Sequence, residues 1–260
     1  MPYEVTGDSA GVPIVLVPGG LSGWVSWKPH AEVLSRKHRV VRVQLLSMAL
    51  AERNRTPGPF YSLRSESEAL EDIVDSLGVP KVNIVGWSQG GAVSLDLALN
   101  HSRRINTLTL IEPAAYWVGI ASGKYGDEIQ RFTSLFKTFH NPPTEDDLIG
   151  FLTMNGLVPP GADPRTMPRW STWNSLKISL LGLHTVIEHR DDPARLRALR
   201  NIPVMLVRGK DSVGFNYGGI DLLAQGIGEN VKVLSLPDGH ACHIVAQDQF
   251  LEALEELIRE

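Results

Sequence analysis

The sequence Val82-Asn83-Ile84-Val85-Gly86-Trp87-Ser88-Gln89-Gly90-Gly91-Ala92 carries the strongest structural signal in the chain. It opens with a short apolar run that predicts a buried strand, and the apolar residues after it predict a buried helix. Ser88 lies at the corner, in the strand–turn–helix context that the motif G-x-S-x-G requires. Because Gly86 and Gly90 lack side chains, strand and helix can pass close to Ser88 and hold its hydroxyl clear of the sheet. The stretch therefore predicts a serine nucleophile.

On these residues the chain resembles the α/β-hydrolase superfamily, which implies a doubly wound, mostly parallel sheet with an inserted helical cap. Apolar runs elsewhere fit this fold, since strands that alternate with helical patterns predict a parallel sheet. The predicted strands besides the central one are Tyr3–Thr6 at an edge, Pro13–Val17, Arg39–Leu45, Thr107–Ile111, Pro203–Arg208 and Val231–Leu236. An amphipathic pattern predicts a helix over residues 65–77. Residues 47–60 are predicted to form a loop.

The middle of the chain differs in character from both ends. Between residues 114 and 192, strand-like runs disappear and proline-containing turns separate short helical patterns rich in aromatic residues. The resemblance implies that a helical cap is inserted over the active site at this point of the chain. We therefore expect a core formed by residues 1–113 and 193–260, and a cap formed by residues 114–192.

A serine hydroxyl needs a neighbouring base, and the base needs an acid that fixes its tautomer. The superfamily orders these residues as Ser, then Asp or Glu, then His. His240 follows the last predicted strand, where relatives place a Gly-His, and is the expected base. His243 is the rival, although relatives often have a second histidine there that lines or supports the pocket.

Two carboxylates are candidates for the acid. Asp211 follows the strand that ends at Arg208, in the Gly-Lys-Asp turn where the resemblance places the family's acid. Its distance from His240 along the chain leaves room for one helix and one strand. Glu112 is the alternative, because it ends the strand Thr107–Ile111 and a minority of relatives take their acid from that strand. The sequence favours Asp211 and leaves Glu112 open.

The resemblance also implies an oxyanion hole and a substrate pocket. The backbone N–H groups of Gly20, in the loop after Pro13–Val17, and of Gln89, directly after the nucleophile, are the expected donors. Pro18 replaces the histidine common in relatives, and Gln44-Leu45-Leu46-Ser47 replaces their Asp-x-x-Gly. The residues predicted to line the pocket are Trp24, Trp117, Trp170, Trp173 and His243.

Composition excludes several other classes of protein. The 260 residues carry a net charge of −4 with no long basic run, which disfavours binding to nucleic acid or to an anionic membrane. No apolar run is long enough to span a bilayer, and the N-terminus has no signal-peptide pattern. The single cysteine, Cys242, cannot form an intrachain disulfide, which is typical of a cytoplasmic protein.

No cofactor is expected, because the chain has neither a G-x-G-x-x-G nor a Walker pattern, and its His and Cys spacings match no standard zinc signature. The leading hypothesis is a serine hydrolase that cleaves an ester, thioester or lactone of a small to medium apolar substrate through an acyl-enzyme. C–C bond hydrolysis, acyl transfer, perhydrolysis and lyase chemistry remain open, since the same fold supports them. A receptor that binds a ligand without turnover is the alternative from another class.

Overall fold

A seven-stranded sheet forms the centre of the molecule. The structure is a computed structural model that describes residues 1–159, 161–212 and 214–259. The strands are β1 (Tyr3–Thr6), β2 (Ile14–Val17), β3 (Val40–Val43), β4 (Val82–Trp87), β5 (Ile105–Ile111), β6 (Val204–Gly209) and β7 (Val231–Leu236). All of them coincide with predicted strands to within a few residues.

The strand order is β1-β3-β2-β4-β5-β6-β7. Only β1 runs antiparallel to its neighbour, and the pairs from β3 to β7 are parallel. Every residue of β2 and β4 is buried. Parallel strands covered on both faces need continuous apolar side chains, which explains why these runs are visible in the sequence.

Helices connect the strands and cover both faces of the sheet. They are α1 (Lys28–Leu34), α2 (Leu46–Ala51), α3 (Leu63–Ser76), α4 (Ser88–Asn100), α5 (Tyr116–Ser122), α6 (Gly126–Thr138), α7 (Glu145–Met154), α8 (Trp170–Ser175), α9 (His184–Glu188), α10 (Gly214–Ile227), α11 (Cys242–Val245) and α12 (Gln247–Arg259). One core cluster joins the sheet to α3, α4 and α10, and a second joins it to α1 and α12. The predicted doubly wound fold is therefore confirmed.

The segment between β5 and β6 contains helices α5 to α9 and none of the described strands. We call residues 116–188 the helical insertion. Its own apolar cluster includes Leu148, Phe151 and Trp173, and also takes in Leu21 from the loop after β2. The insertion therefore packs directly on the loop that carries Gly20.

The prediction of a loop over residues 47–60 is wrong in its first part, because α2 begins at Leu46 and ends at Ala51. The N-cap residue, Leu45, makes no side-chain capping bond. Instead, the carboxylate of Glu66 in α3 accepts the N–H groups of Leu46 and Ser47 at 2.7 Å and 3.0 Å. A tertiary contact thus supplies the N-terminal cap. Among the described residues, no helix combines the length and the apolar character needed to cross a membrane.

Candidate active site

Ser88 is the first residue of α4 and directly follows β4. Its φ of 52° lies in the left-handed region, which a non-glycine residue rarely occupies. The glycines around it are needed for close packing. A Cβ on Gly86 would stand 2.6 Å from the carbonyl oxygen of Gly90, and one on Gly90 would stand 2.6 Å from that of Val17. The half-buried Ser88 side chain is therefore presented on the tight turn that the motif requires.

His240 and Glu112 form a buried pair at the same edge of the sheet. His240 Nδ1 lies 2.7 Å from Glu112 Oε2, and the two side chains are 4% and 0% exposed. The other carboxylate oxygen, Oε1, accepts the backbone N–H of Gly209 at 2.7 Å. Glu112 is thus held between β5 and β6. Because a carboxylate only accepts hydrogen bonds, Nδ1 of His240 is the donor in this pair, and Nε2 is left free to face another partner.

The expectation that Asp211 contacts His240 is wrong. Asp211 is exposed, and its backbone N–H donates to the carbonyl oxygen of Asp238 at 3.0 Å. The residue does lie beside the turn that precedes His240, as its place after β6 requires. Its carboxylate does not enter the site, because Glu112 already occupies the Nδ1 side of the imidazole.

The two residues expected to supply the oxyanion donors, Gly20 and Gln89, are neighbours in the structure. A Cβ on Gly20 would stand 3.2 Å from Gln89 Oε1 and 3.1 Å from a methyl group of Leu183 in the helical insertion. Gln89 is buried in the first turn of α4, where backbone N–H groups have no partner within the helix. The geometry brings the loop after β2 to the N-terminus of α4, directly beside Ser88.

His243 is fully buried, so it does not line an open pocket, and the expectation that it supports the pocket stays a prediction. Its ring is fully buried, with centroids 4.9 Å from Trp27, 4.7 Å from Trp87 and 5.9 Å from Phe250. Neither ring nitrogen has a hydrogen-bond partner among the described residues. Burial holds the pKa of His243 well below its ordinary value, so the ring is neutral.

The predicted pocket aromatics divide into two groups. Trp117 and Trp173 are each only 3% exposed and belong to the main core and to the cluster within the helical insertion, respectively. Both pack within hydrophobic clusters, and the expectation that they line the pocket stays a prediction. Trp24 and Trp170 are half-buried and remain candidates.

Trp87 and Gly209 contact the site, although sequence analysis gave neither a role. The indole N–H of Trp87 donates to the carbonyl oxygen of His240 at 2.9 Å. Gly209 donates its N–H to Glu112. The signal available for Trp87 was its place inside the motif, but the motif leaves that position unspecified.

A sizeable surface pocket lies away from this site. An open pocket of about 470 Å³, lined by residues that include Lys81, Ser102, Arg103 and Pro203, lies at the opposite edge of the sheet, before β4, β5 and β6. It lies away from the strand ends that carry Ser88, Glu112 and His240. The strained serine and the buried His–Glu pair identify the site instead.

Elsewhere, Asp96, His189 and Asp191 bring possible metal-ligating atoms within 4.8 Å of one another. Their carboxylates already pair with arginines: Arg64 with Asp96 at 3.1 Å and Arg195 with Asp191 at 2.6 Å. Each carboxylate of the cluster is thus already neutralised by an arginine. The cluster is best described as an ion-pair network that joins α4 to the chain after the helical insertion.

A family model described as the alpha/beta hydrolase fold matches residues 12–247. The match takes in β2 to β7, the helical insertion and the three strand ends that carry Ser88, Glu112 and His240. The chain belongs to the α/β-hydrolase family.

Similar proteins include several hydrolases. The 2-hydroxy-6-oxo-2,4-heptadienoate hydrolase of Pseudomonas putida is 34% identical over 39% of this chain and 37% of that protein. The pimeloyl-acyl-carrier-protein methyl ester esterase of Nitrosomonas europaea is 26% identical over 98% of both chains. A crystal structure of a hydrolase from Pseudomonas aeruginosa gives a TM-score of 0.79 at 22% identity, covering 98% of this chain and 93% of that one. The chain spans about two fifths of the length of the first curated relatives it matches.

Proposed function

We propose that the protein is a serine hydrolase in which Ser88 is the nucleophile, His240 the base and Glu112 the acid. The proposed substrate is an ester, thioester or lactone of small to medium size and apolar character. The observation that carries this proposal is the 2.7 Å contact between His240 Nδ1 and Glu112 Oε2, at the sheet edge where Ser88 occupies a strained turn.

The first chemical step follows from the protonation of the pair. With its proton on Nδ1 held by Glu112, His240 can accept the Ser88 hydroxyl proton on Nε2 while Ser88 Oγ attacks the substrate carbonyl. Among the described residues, no hydrogen bond joins Ser88 to His240. Such contacts are often long in free enzymes and shorten when substrate binds.

The tetrahedral intermediate then needs donors for its oxyanion. We assign these to the backbone N–H groups of Gln89 and Gly20, which are fixed in place before the reaction and need no rearrangement. His240 returns its proton to the leaving alcohol or thiol, which leaves Ser88 acylated. Water, activated by the same histidine, releases the acid and restores the serine.

The helical insertion is proposed to cap this site. Its residue Leu183 packs beside Gly20, and Trp170 and Trp24 expose part of their rings. Aromatic surface of this kind favours an apolar acyl or alcohol group. The esterase that aligns over the whole chain supports ester cleavage as the reaction.

A fluorophosphonate probe tests the nucleophile directly. It should label the peptide that contains Ser88, as read by mass spectrometry, and an activated p-nitrophenyl ester should give a burst of product. Ser88→Ala should abolish both signals. Labelling only at other residues, or full esterase activity in Ser88→Ala, would overturn the proposal, and labelling without turnover would instead favour a ligand receptor.

A second candidate reaction is the hydrolysis of an oxo-dienoate, which is favoured by the 34% identity with the enzyme of Pseudomonas putida. The same three residues would serve it. Turnover of a 2-hydroxy-6-oxo-dienoate at a rate well above that of p-nitrophenyl esters would favour this reaction. The reverse ranking would favour the ester hydrolase.

A further inference from the structure

Trp87 fills the variable position of the G-x-S-x-G motif with the largest side chain available. It is the last residue of β4, only 1% exposed, and its backbone leads directly into Ser88. The motif itself requires glycine before and after, but no particular residue here. The motif therefore does not explain why a tryptophan stands at this position.

The first contact joins Trp87 to the loop that carries the base. Its Nε1–H donates to the carbonyl oxygen of His240 at 2.9 Å, in a buried hydrogen bond. The indole and imidazole rings also lie close together, with centroids 5.6 Å apart and planes tilted by 45°. The main chain and the ring of His240 thus both contact the same side chain.

The second contact joins Trp87 to the loop after β2. A Cβ on Gly19 would stand 2.8 Å from Cε3 and 3.0 Å from Cδ2 of the indole. The indole ring therefore packs flat against the backbone one residue before Gly20. One side chain touches the loop of the base and the loop of an oxyanion donor, and its own backbone leads into the nucleophile.

The topology explains why such a link is useful. His240 follows β7, which is separated from β4 by β5 and β6. Three strand spacings amount to roughly 14 Å, so the loop of His240 must lean across two strands to reach Ser88. Glu112 fixes one ring nitrogen of His240, but it does not hold the main chain of that loop.

We propose that Trp87 is a positioning residue whose indole N–H holds the backbone of His240. It keeps Nδ1 of the imidazole on Glu112 and Nε2 directed toward Ser88. This inference rests on the proposed function, since it assigns Trp87 a role in the same reaction. A displacement of about 1 Å in a catalytic group is enough to lower the rate substantially.

Trp27 provides a matched control. It is also a fully buried tryptophan and contacts the same aromatic cluster, yet its Nε1 has no hydrogen-bond partner among the described residues. Replacing either tryptophan by phenylalanine removes similar ring volume from the same side of the sheet. Only the change at Trp87 removes a hydrogen bond to the base.

The test compares Trp87→Phe with Trp27→Phe by steady-state kinetics on a p-nitrophenyl ester. We expect Trp87→Phe to lower kcat about tenfold, which corresponds to about 1.4 kcal/mol, with KM within twofold of the parent. The downfield proton NMR signal of the His240 Nδ1–H should shift or broaden. Trp27→Phe should retain kcat and the proton signal, whatever it loses in stability.

Benzothienylalanine at position 87 gives a second variant that keeps the ring shape but has sulfur where the N–H was, so it separates the hydrogen bond from packing. The inference is overturned if this variant keeps the parent kcat and proton signal, or if Trp27→Phe shows the same losses. Ser88→Ala, measured in parallel, separates the two proposals. An inactive Ser88→Ala beside a fully active benzothienylalanine variant would refute the role of Trp87 alone.

Discussion

At the scale of single residues, several residues around the site have strained backbone conformations. Four non-glycine residues with positive φ follow the carboxyl ends of strands: Leu21 at 62°, Ser88 at 52°, Glu112 at 38° and Asp238 at 78°. Each such conformation is unfavourable by about 1–3 kcal/mol, and strain of this kind gathers at functional sites. For Ser88 and Glu112, glycine would relieve the strain and remove the functional group.

The carboxylate that contacts His240 shows what the sequence could not decide. Asp211 and Glu112 both end strands at the same sheet edge, and spacing along the chain allows either. The choice depends on the direction of the side chain, which is set by the positive φ of Glu112 and by the N–H of Gly209. Neither feature leaves a pattern in the sequence.

Gly90→Ala tests the close packing at the nucleophile. The added Cβ would overlap the carbonyl oxygen of Pro18 and stand 2.6 Å from that of Val17, both backbone atoms that cannot rotate away. We expect unfolding free energy to fall by about 2 kcal/mol, and esterase activity to fall at least tenfold because the loop of Gly20 must move. Gly126→Ala is the control, because its Cβ would meet open space. Equal behaviour of the two variants in urea unfolding and kinetics would contradict this account.

At the scale of elements, strands were easier to predict than helix ends. Strands β2, β4 and β6 follow from short apolar runs, because burial on both faces selects those residues. Helix α2 was missed, since its N-terminus is capped by Glu66, 20 residues further along the chain. A local pattern of capping residues cannot reveal a cap supplied by another helix.

Glu66→Ala tests this cap. Glu66 is fully buried, and its carboxylate accepts the N–H groups of Leu46 and Ser47 and the Tyr61 hydroxyl, the last at 2.5 Å. Removing the acceptor leaves buried donors unpaired, so unfolding free energy should fall by about 3 kcal/mol.

Glu68 is exposed on the same helix and makes no side-chain hydrogen bond among the described residues, so Glu68→Ala should stay within about 0.5 kcal/mol of the parent. Urea unfolding monitored by circular dichroism measures both variants. Similar losses in the two would show that Glu66 does not cap α2.

At the scale of the whole molecule, the mostly parallel sheet could be predicted, and the family match confirms the fold. The residues that line the pocket could not be predicted. Trp117 and Trp173 carry the same apolar signal as Trp24 and Trp170, and only the packing of the insertion separates buried rings from accessible ones.

Two buried histidines should make global stability depend on pH. Burial lowers the pKa of His30 to about 4 and holds that of His243 well below its ordinary value. In the unfolded chain both bind protons near pH 6.5. Between pH 6.5 and about 4, the unfolded state therefore binds more protons, and unfolding free energy falls as pH falls, by up to about 1.4 kcal/mol per pH unit for each histidine.

Urea unfolding between pH 7.5 and 4.5 measures this dependence. Because neither ring nitrogen of His243 has a hydrogen-bond partner in the described part of the chain, His243→Phe should keep the fold and reduce the slope by about one proton. A slope identical to that of the parent would mean that His243 does not contribute.

The proposed role of Glu112 as the acid can be tested most directly, because its carboxylate accepts hydrogen bonds from two donors. Gly209 N–H and His240 Nδ1–H each bond one carboxylate oxygen, and an amide at this position would have to turn its NH2 group toward one of them. Glu112→Gln should therefore misorient the imidazole and lower kcat by about 10³-fold or more, with the fold retained. The exposed Asp211 is the matched control. In steady-state kinetics on the same ester, we predict that Asp211→Asn stays within twofold of the parent, whereas a large loss in Asp211→Asn beside a fully active Glu112→Gln would contradict the assignment.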